Sequence, residues 1–210
     1  MTPAGRRWSG LERALVQVAG LVNAYTAMPT EQAGFRALYL SGSVVATASF
    51  GLPDLGLTTL AGAAEEARRI TAATSFPLLV DADTGWEARP MVDRTARELE
   101  RADAAAIQLE DQVTEKRCGH RPDKRLAPSA ETEERIAAAV SARADPGSAV
   151  IERTDALAVE GLDTAVERAR RYAAAGGDVL FREGAGNRGS SPRWSRPPGC
   201  QSWPASRSSA

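Results

Sequence analysis

The chain has 210 residues, 43% hydrophobic and 25% charged, with a formal net charge of −1. That length suits one domain with a sizeable core, or two small ones, and the near-neutral charge offers no electrostatic footprint for nucleic acid or an anionic membrane. No stretch reaches the roughly 18 apolar residues of a spanning helix, the start MTPAGRRWSG does not read as a secretory signal, and the two distant cysteines, Cys118 and Cys200, fit neither a disulfide framework nor a zinc site, so the expected compartment is the reducing cytoplasm.

An N-terminal arm is expected over residues 1–17, followed by a body over 18–183 in which apolar runs alternate with helical patterns. The runs are GLVNA (20–24), ALYLSG (37–42), PLLVDAD (77–83), AAIQLED (105–111), AVIERTD (149–155) and DVLFRE (178–183). Between the second and third lies LAGAAEEARRI, with Leu60, Ala63, Ala64, Ala67 and Ile70 on one helical face. LDTAVERARRYAAAGG repeats the pattern with Leu162, Val166, Ala169 and Tyr172, and Gly176 suits the left-handed residue that ends a helix. Strand–helix alternation predicts an α/β fold with a parallel sheet covered by helices.

Each run is apolar at its start and polar at its C-terminal end. Side chains two apart share a strand face, which pairs Tyr39 with Ser41, Asp81 with Asp83, Gln108 with Glu110 and Arg153 with Asp155. Polar groups converging from several strand ends fit the mouth of a (β/α)8 barrel, although an open doubly wound sheet also places ligands there. Six strands are visible where a closed barrel needs eight. Residues 184–210, with seven Ser, four Pro, four Arg and no acid, show no structural period and predict a disordered tail.

The chemistry concentrates at the strand ends. Asp81, Asp83 and Glu110 crowd carboxylates together, and a hard divalent cation such as Mg²⁺ is the economical way to neutralise them; helix capping and turn formation are the competing roles for the aspartates. KRCGH (116–120) sets Cys118 beside Lys116, Arg117 and His120, and nearby cations stabilise a thiolate able to act as nucleophile or general acid, whereas an inert cysteine is the plain reading. Arg153 either binds a substrate carboxylate or pairs structurally with Asp155. Ser41-Gly42-Ser43 is either an anion-binding loop or a plain turn.

Taken in order, YLSGSVVATASFGLPDLGLTT, LLVDADTGW, IQLEDQ, KRCGHRP and ERTDALAVEGLDTAVERARRYAAAGGDVLF resemble the isocitrate lyase/phosphoenolpyruvate mutase superfamily. The KRCGH loop is similar to that of its carbon–carbon lyases, and in particular of the branch that cleaves 2-methylisocitrate to pyruvate and succinate in propionate catabolism. The resemblance implies an incomplete TIM-type barrel, Mg²⁺ on Asp81 and Asp83 with Glu110 supporting it through water, and Asp54 near the metal. It implies substrate contacts at Ser41, Gly42, Ser43, Gly119, Arg153 and Glu183, and a mobile loop of Cys118, Gly119 and His120. In this reading Cys118 is the general acid and Tyr39 accepts the substrate hydroxyl proton. A small di- or tricarboxylic acid is the implied substrate, and a homo-oligomer the implied assembly. Isocitrate or a related oxo-acid as substrate, and a catalytically dead remnant binding Mg²⁺, a dicarboxylate or a paralogue, are the alternatives.

The sequence also departs from that family. Ser43 replaces a second glycine, Asp103 replaces a turn glycine before the fourth strand, and Arg182 stands where a small residue or proline is usual. The resemblance stops after Glu183, without the family's seventh and eighth strands or its exchanged C-terminal helices. Open sheet edges and a tendency to associate are the expectation.

Overall fold

Near-continuous apolar strands are what a parallel sheet buried on both faces requires, and the six expected runs form six strands. The computed structural model describes residues 4, 5, 8, 11, 16–86, 89–183 and 201–202. The strands are β1 (Val18–Leu21), β2 (Ala37–Leu40), β3 (Leu78–Asp81), β4 (Ala106–Glu110), β5 (Ala149–Thr154) and β6 (Val179–Arg182). The helices are α1 (Ala24–Gln32), α2 (Gly42–Val44), α3 (Leu60–Ala73), α4 (Arg89–Arg101), α5 (Ser129–Ala142), α6 (Ala156–Val159) and α7 (Leu162–Ala174), with a π-helical turn over Val45–Ser49. Of the tail expected over 184–210, only Gln201–Ser202 is described; it adds a two-residue parallel strand, β7, beside β6. The rest of that tail lies outside the described residues.

The strand order is β1-β2-β3-β4-β5-β6-β7 with every pairing parallel. A doubly wound sheet must reverse its order at a switch point, and this one never does. Sequential parallel strands joined by helical crossovers form an arc of a (β/α) barrel, here a curled, incomplete one.

Strand alternation sorts the core into two layers. Leu38, Leu40, Leu78, Val80, Ile107, Leu109 and Val150 face outward and pack with Leu60, Ala67, Ile70, Val92, Leu99, Ile136 and Tyr172 of the helices. Each fully buried Leu or Ile there contributes about 1.5–3 kcal/mol. The alternate residues Ala37, Leu79, Ala106, Ala149, Ile151 and Val179 face inward, joined at the base by Trp8, Leu11 and Val16 of the expected N-terminal arm.

Helix faces match the sequence with one correction. In α3 the buried set includes Leu60, Ala63, Ala64, Ala67 and Ile70, as expected. In α7 the buried face is Ala165, Arg168, Ala169 and Tyr172, while Leu162 is exposed. The face is rotated because Arg168 is drawn inward by Glu160, Ala127 carbonyl and Tyr172. Gly176, at φ 103°, ends α7 as expected. Asp103, at φ 60°, confirms that its turn demands a left-handed residue, a conformation aspartate tolerates better than most. Asn23, a polar strand end in the sequence, instead caps α1: its Oδ1 accepts from Thr26 N at 3.1 Å and Thr26 Oγ1 accepts from Asn23 N at 3.1 Å.

Candidate active site

The inward face changes character toward the strand C-termini. Above Ala37, Leu79, Ala106 and Ile151 come Tyr39, Asp81, Gln108 and Arg153, and above those Ser41, Asp83, Glu110, Asp155 and Glu183. Asp81, at the end of β3, is held on both oxygens. Its Oδ2 accepts from Tyr39 OH at 3.0 Å and Gly42 N at 3.3 Å, and its Oδ1 accepts from Asp83 N at 3.1 Å. Asp83 lies past the strand at φ 49°. Gly42 is needed beside it, because a Cβ there would come 2.5 Å from Asp83 Oδ1.

Two buried cations divide the acids between them. Lys116 Nζ lies 2.6 Å from Asp54 Oδ1 and 2.5 Å from Asp83 Oδ1, with its side chain 3% exposed. Arg153 donates through Nε to Asp155 Oδ2 at 3.0 Å, and its other nitrogens lie 3.3 Å from Glu110 Oε2 and 3.7 Å from Glu183 Oε2. Even so, neither oxygen of Glu110 accepts a hydrogen bond, and Arg153 Nη2 has no aligned acceptor.

This arrangement sets the protonation states. Burial, with Asp81 adding to it and Lys116 opposing, pushes Asp83 up to about 6. Burial pushes Glu110 up to about 8 against the pull of Arg153 and Lys116. Burial works against the Lys116 ammonium, but Asp83, Glu110 and Asp81 outweigh it and raise its pKa. Tyr39 is raised by burial and then by Asp81, so its phenol stays protonated near neutral pH.

The KRCGH segment is the tip of a flap rising from β4. Its neck is a short antiparallel bridge: Gln112 pairs with Leu126, Val113 N donates to Arg125 O at 3.0 Å, and Ala127 N donates to Asp111 O at 2.9 Å. The Gln112 amide clamps Arg117, donating to its carbonyl at 2.9 Å and accepting from its N–H at 3.0 Å. Cys118 is a half-buried free thiol whose carbonyl accepts from Arg121 N at 2.8 Å. Gly119 packs against Arg153 and Glu183 so closely that no Cβ would fit. His120 is 85% exposed, with Nδ1 3.5 Å from Glu183 Oε1.

The structure thus gathers Tyr39, Gly42, Asp54, Asp81, Asp83, Glu110, Gly119, Arg153 and Glu183 at one mouth, with the Cys118 loop beside it. Three sequence expectations change in detail. Lys116, taken as a cation beside the thiol, is committed to Asp54 and Asp83. Arg153 makes the Asp155 pairing through Nε, while its Nη2 has no aligned acceptor. Ser41-Gly42-Ser43 is the entry to α2, and the Gly42 N–H, read as an anion donor, is given to Asp81. Asp155, at the N-cap position of α6, makes no capping bond there, so capping does not explain it.

Sequence reasoning missed Gln112, Lys124 and the buried network around Asp111. Asp111 accepts from Thr154 Oγ1 at 2.7 Å, Tyr172 OH at 3.0 Å and Asp155 N at 2.9 Å, tying β4 to β5 on the outer face. The only local signal was the run of polar residues in LEDQ, whose two faces the strand period separates.

Among the described residues, no three Asp, Glu, His or Cys side chains stand close enough to form a ready metal cage. The donors nonetheless fit a Mg²⁺-type ion, which takes one or two carboxylates and keeps water in its other positions. They are all hard oxygens, and the two Glu110 oxygens are buried without hydrogen-bond donors. An acidic, half-neutralised rim at the strand C-termini, reached by Lys116 and Gly119 of a cysteine-bearing flap, defines the class: a sequential parallel (β/α)-barrel protein with its candidate site at the C-terminal mouth.

The chain belongs to the phosphoenolpyruvate phosphomutase family, whose model matches residues 13–190. It is 53% identical over 168 residues to 2-methylisocitrate lyase of Shewanella oneidensis, covering 80% of this chain and 58% of that protein. It therefore spans little more than half the length of this curated relative. Among solved structures it is similar to 2,3-dimethylmalate lyase, with TM-score 0.83, 39% identity, and coverage of 90% of this chain and 64% of that one. It is also similar to phosphonopyruvate hydrolase in complex with oxalate and Mg²⁺, with TM-score 0.78, 30% identity, and coverage of 89% and 64%. No described helix is long and apolar enough to cross a membrane.

Proposed function

We propose that the chain carries the site of a carbon–carbon lyase that cleaves 2-methylisocitrate to pyruvate and succinate with Mg²⁺ as cofactor. The observation that carries this reading is the acid cluster of Asp81, Asp83 and Glu110 at the mouth, reached by Lys116 and Gly119 on either side of Cys118 in the flap. The 53% identity to a 2-methylisocitrate lyase supports the choice of substrate.

The reaction breaks the bond between the hydroxyl-bearing carbon and the carbon that becomes a succinate methylene. The hydroxyl gives up its proton, its oxygen becomes the pyruvate carbonyl, and the bonding pair stays on the succinate carbon, which then takes a proton. Tyr39 is the proposed acceptor of the hydroxyl proton, held by Gln108 and Asp81. Bound Mg²⁺ would polarise the oxo-acid oxygens and offset the Asp81 charge, which together with burial keeps the Tyr39 phenol protonated. Cys118 is the proposed donor to the succinate carbon, and the flap excludes water that would compete for that step. Arg153 Nη2, buried without an aligned acceptor, would meet a substrate carboxylate. Ser41, Ser43, Gly119 and Glu183 would line the same pocket, with Asp54 and His120 at its rim. Association into a homo-oligomer is part of this reading.

The test is pyruvate release by the purified chain given 2-methylisocitrate and Mg²⁺, beside Cys118→Ser. Turnover lost in the variant is the expected result, by about 10²-fold or more. No turnover from folded protein would leave a remnant that binds metal or dicarboxylate. Faster cleavage of isocitrate or 2,3-dimethylmalate would move the substrate within the same chemistry, a course that the likeness to 2,3-dimethylmalate lyase favours.

A further inference from the structure

Lys124 lies outside the KRCGH motif, yet its side chain is only 4% exposed. Burying an ammonium is costly unless it is paired and its hydrogens are used. Its Nζ lies 2.6 Å from Asp155 Oδ1 and 2.7 Å from the Gly119 carbonyl. One end of this contact is the residue after Cys118; the other is the end of β5. Asp155 meanwhile uses Oδ2 to hold Arg153 Nε at 3.0 Å, and Gly119 packs on Arg153. A single carboxylate therefore receives both the ammonium that holds the flap tip and the Arg153 guanidinium.

We propose that Lys124 is a positioning residue that latches the flap: through Gly119 O and Asp155 it holds Cys118 over the site and fixes Arg153 at the same time. The other attachments cannot replace it. The Gln112 clamp holds Arg117, upstream of Cys118, and the His120–Glu183 contact is long and exposed. Without Lys124, the segment from Cys118 to Asp123 keeps the local turn from Arg121 N to Cys118 O, the long His120–Glu183 contact and the packing of Gly119 on Arg153 and Glu183. The catalytic part of this inference rests on the proposed lyase reading; the latch itself does not.

The experiment labels Cys118 with N-ethylmaleimide in a Cys200→Ser background, with Lys124→Met, Lys124→Arg and Asn23→Ala compared against the parent. Lys124→Met is expected to raise the labelling rate about tenfold, Lys124→Arg to restore most of the protection, and Asn23→Ala, which weakens a distant helix cap, to leave it unchanged. An unchanged rate in Lys124→Met, or an equal rise in Asn23→Ala, overturns the latch. If Lys124→Met does not fold, Asp155→Asn breaks the same link from the other side. Failure of both to fold makes the contact merely structural and also overturns the proposal. Where turnover is measurable, Lys124→Met should raise KM as well as lower kcat, because Arg153 loses its brace. Absence of turnover in the parent would count against the lyase reading while the labelling result still decides the latch.

Discussion

Glu110 and Asp111 are neighbours at the end of one strand, both carboxylates and both fully buried, and they live in opposite circumstances. Asp111 faces the helices and accepts three hydrogen bonds, from Thr154, Tyr172 and the Asp155 N–H. Glu110 faces the mouth and accepts none, with Arg153 merely nearby. Burial raises both pKa values; hydrogen-bond donors oppose the rise at Asp111, whereas at Glu110 only the charges of Arg153 and Lys116 oppose it, and Asp83 and Asp81 add to it. A buried group that the protein satisfies is part of the scaffold. One that it leaves unsatisfied is held ready for something from outside.

Substitution should break this comparison most visibly. Asp111→Ala strands the Tyr172 hydroxyl and the Asp155 N–H in the interior and should cost about 3–5 kcal/mol in urea unfolding. At about pH 4, where the Glu110 carboxyl is largely protonated folded or unfolded, Glu110→Gln exchanges one neutral group for another and should change metal-free stability by less than about 1 kcal/mol. Equal losses at the two positions would mean the mouth is as much scaffold as the outer face.

Proton linkage sharpens the same contrast. Glu110 moves from 4.5 to about 8 on folding, so the folded state holds its proton more tightly than the unfolded one. Its contribution is full below pH 4.5 and is lost as pH rises toward 8. Metal-free stability should therefore fall across that window, and Glu110→Gln should flatten part of the slope. Mg²⁺ added at pH 7 should expel about one proton per chain, read with an indicator dye in weak buffer. No proton release would argue against Glu110 as a group that faces the ion.

The smallest effect lies farthest from the site. Asn23→Ala should cost about 1 kcal/mol through loss of the capping box, with no change in Mg²⁺ response. A change in that response would mean that the first βα unit and the mouth are more tightly coupled than the sequential arc implies.

The legible part of this fold was the part governed by period. The six runs, the buried face of α3 and the convergence of Tyr39, Asp81, Asp83, Glu110 and Arg153 follow from side chains alternating along strands. The sequential order, which separates barrel from doubly wound sheet, came from the family resemblance and not from the pattern, because both topologies use the same alternation. The α7 face was misplaced because pattern reading puts arginine outside, whereas Arg168 is held inside by Glu160, the Ala127 carbonyl and Tyr172 of its own helix. Lys116, Lys124 and Gln112 escaped for a related reason. A lysine is taken as a surface residue until tertiary structure surrounds it with carboxylates, and those carboxylates come from Asp54, Asp83 and Asp155, up to 62 positions away for Lys116 and 31 for Lys124.

The two-ended neck beneath the flap has a consequence for how such a protein can be altered. Residues 111–113 and 125–127 are zipped by main-chain bonds, which do not depend on the identity of the side chains between them. The segment from 114 to 124 is thus a cassette plugged into a fixed socket. Exchanging it for the matching segment of a relative would change the chemistry presented to the mouth while the barrel underneath kept its shape.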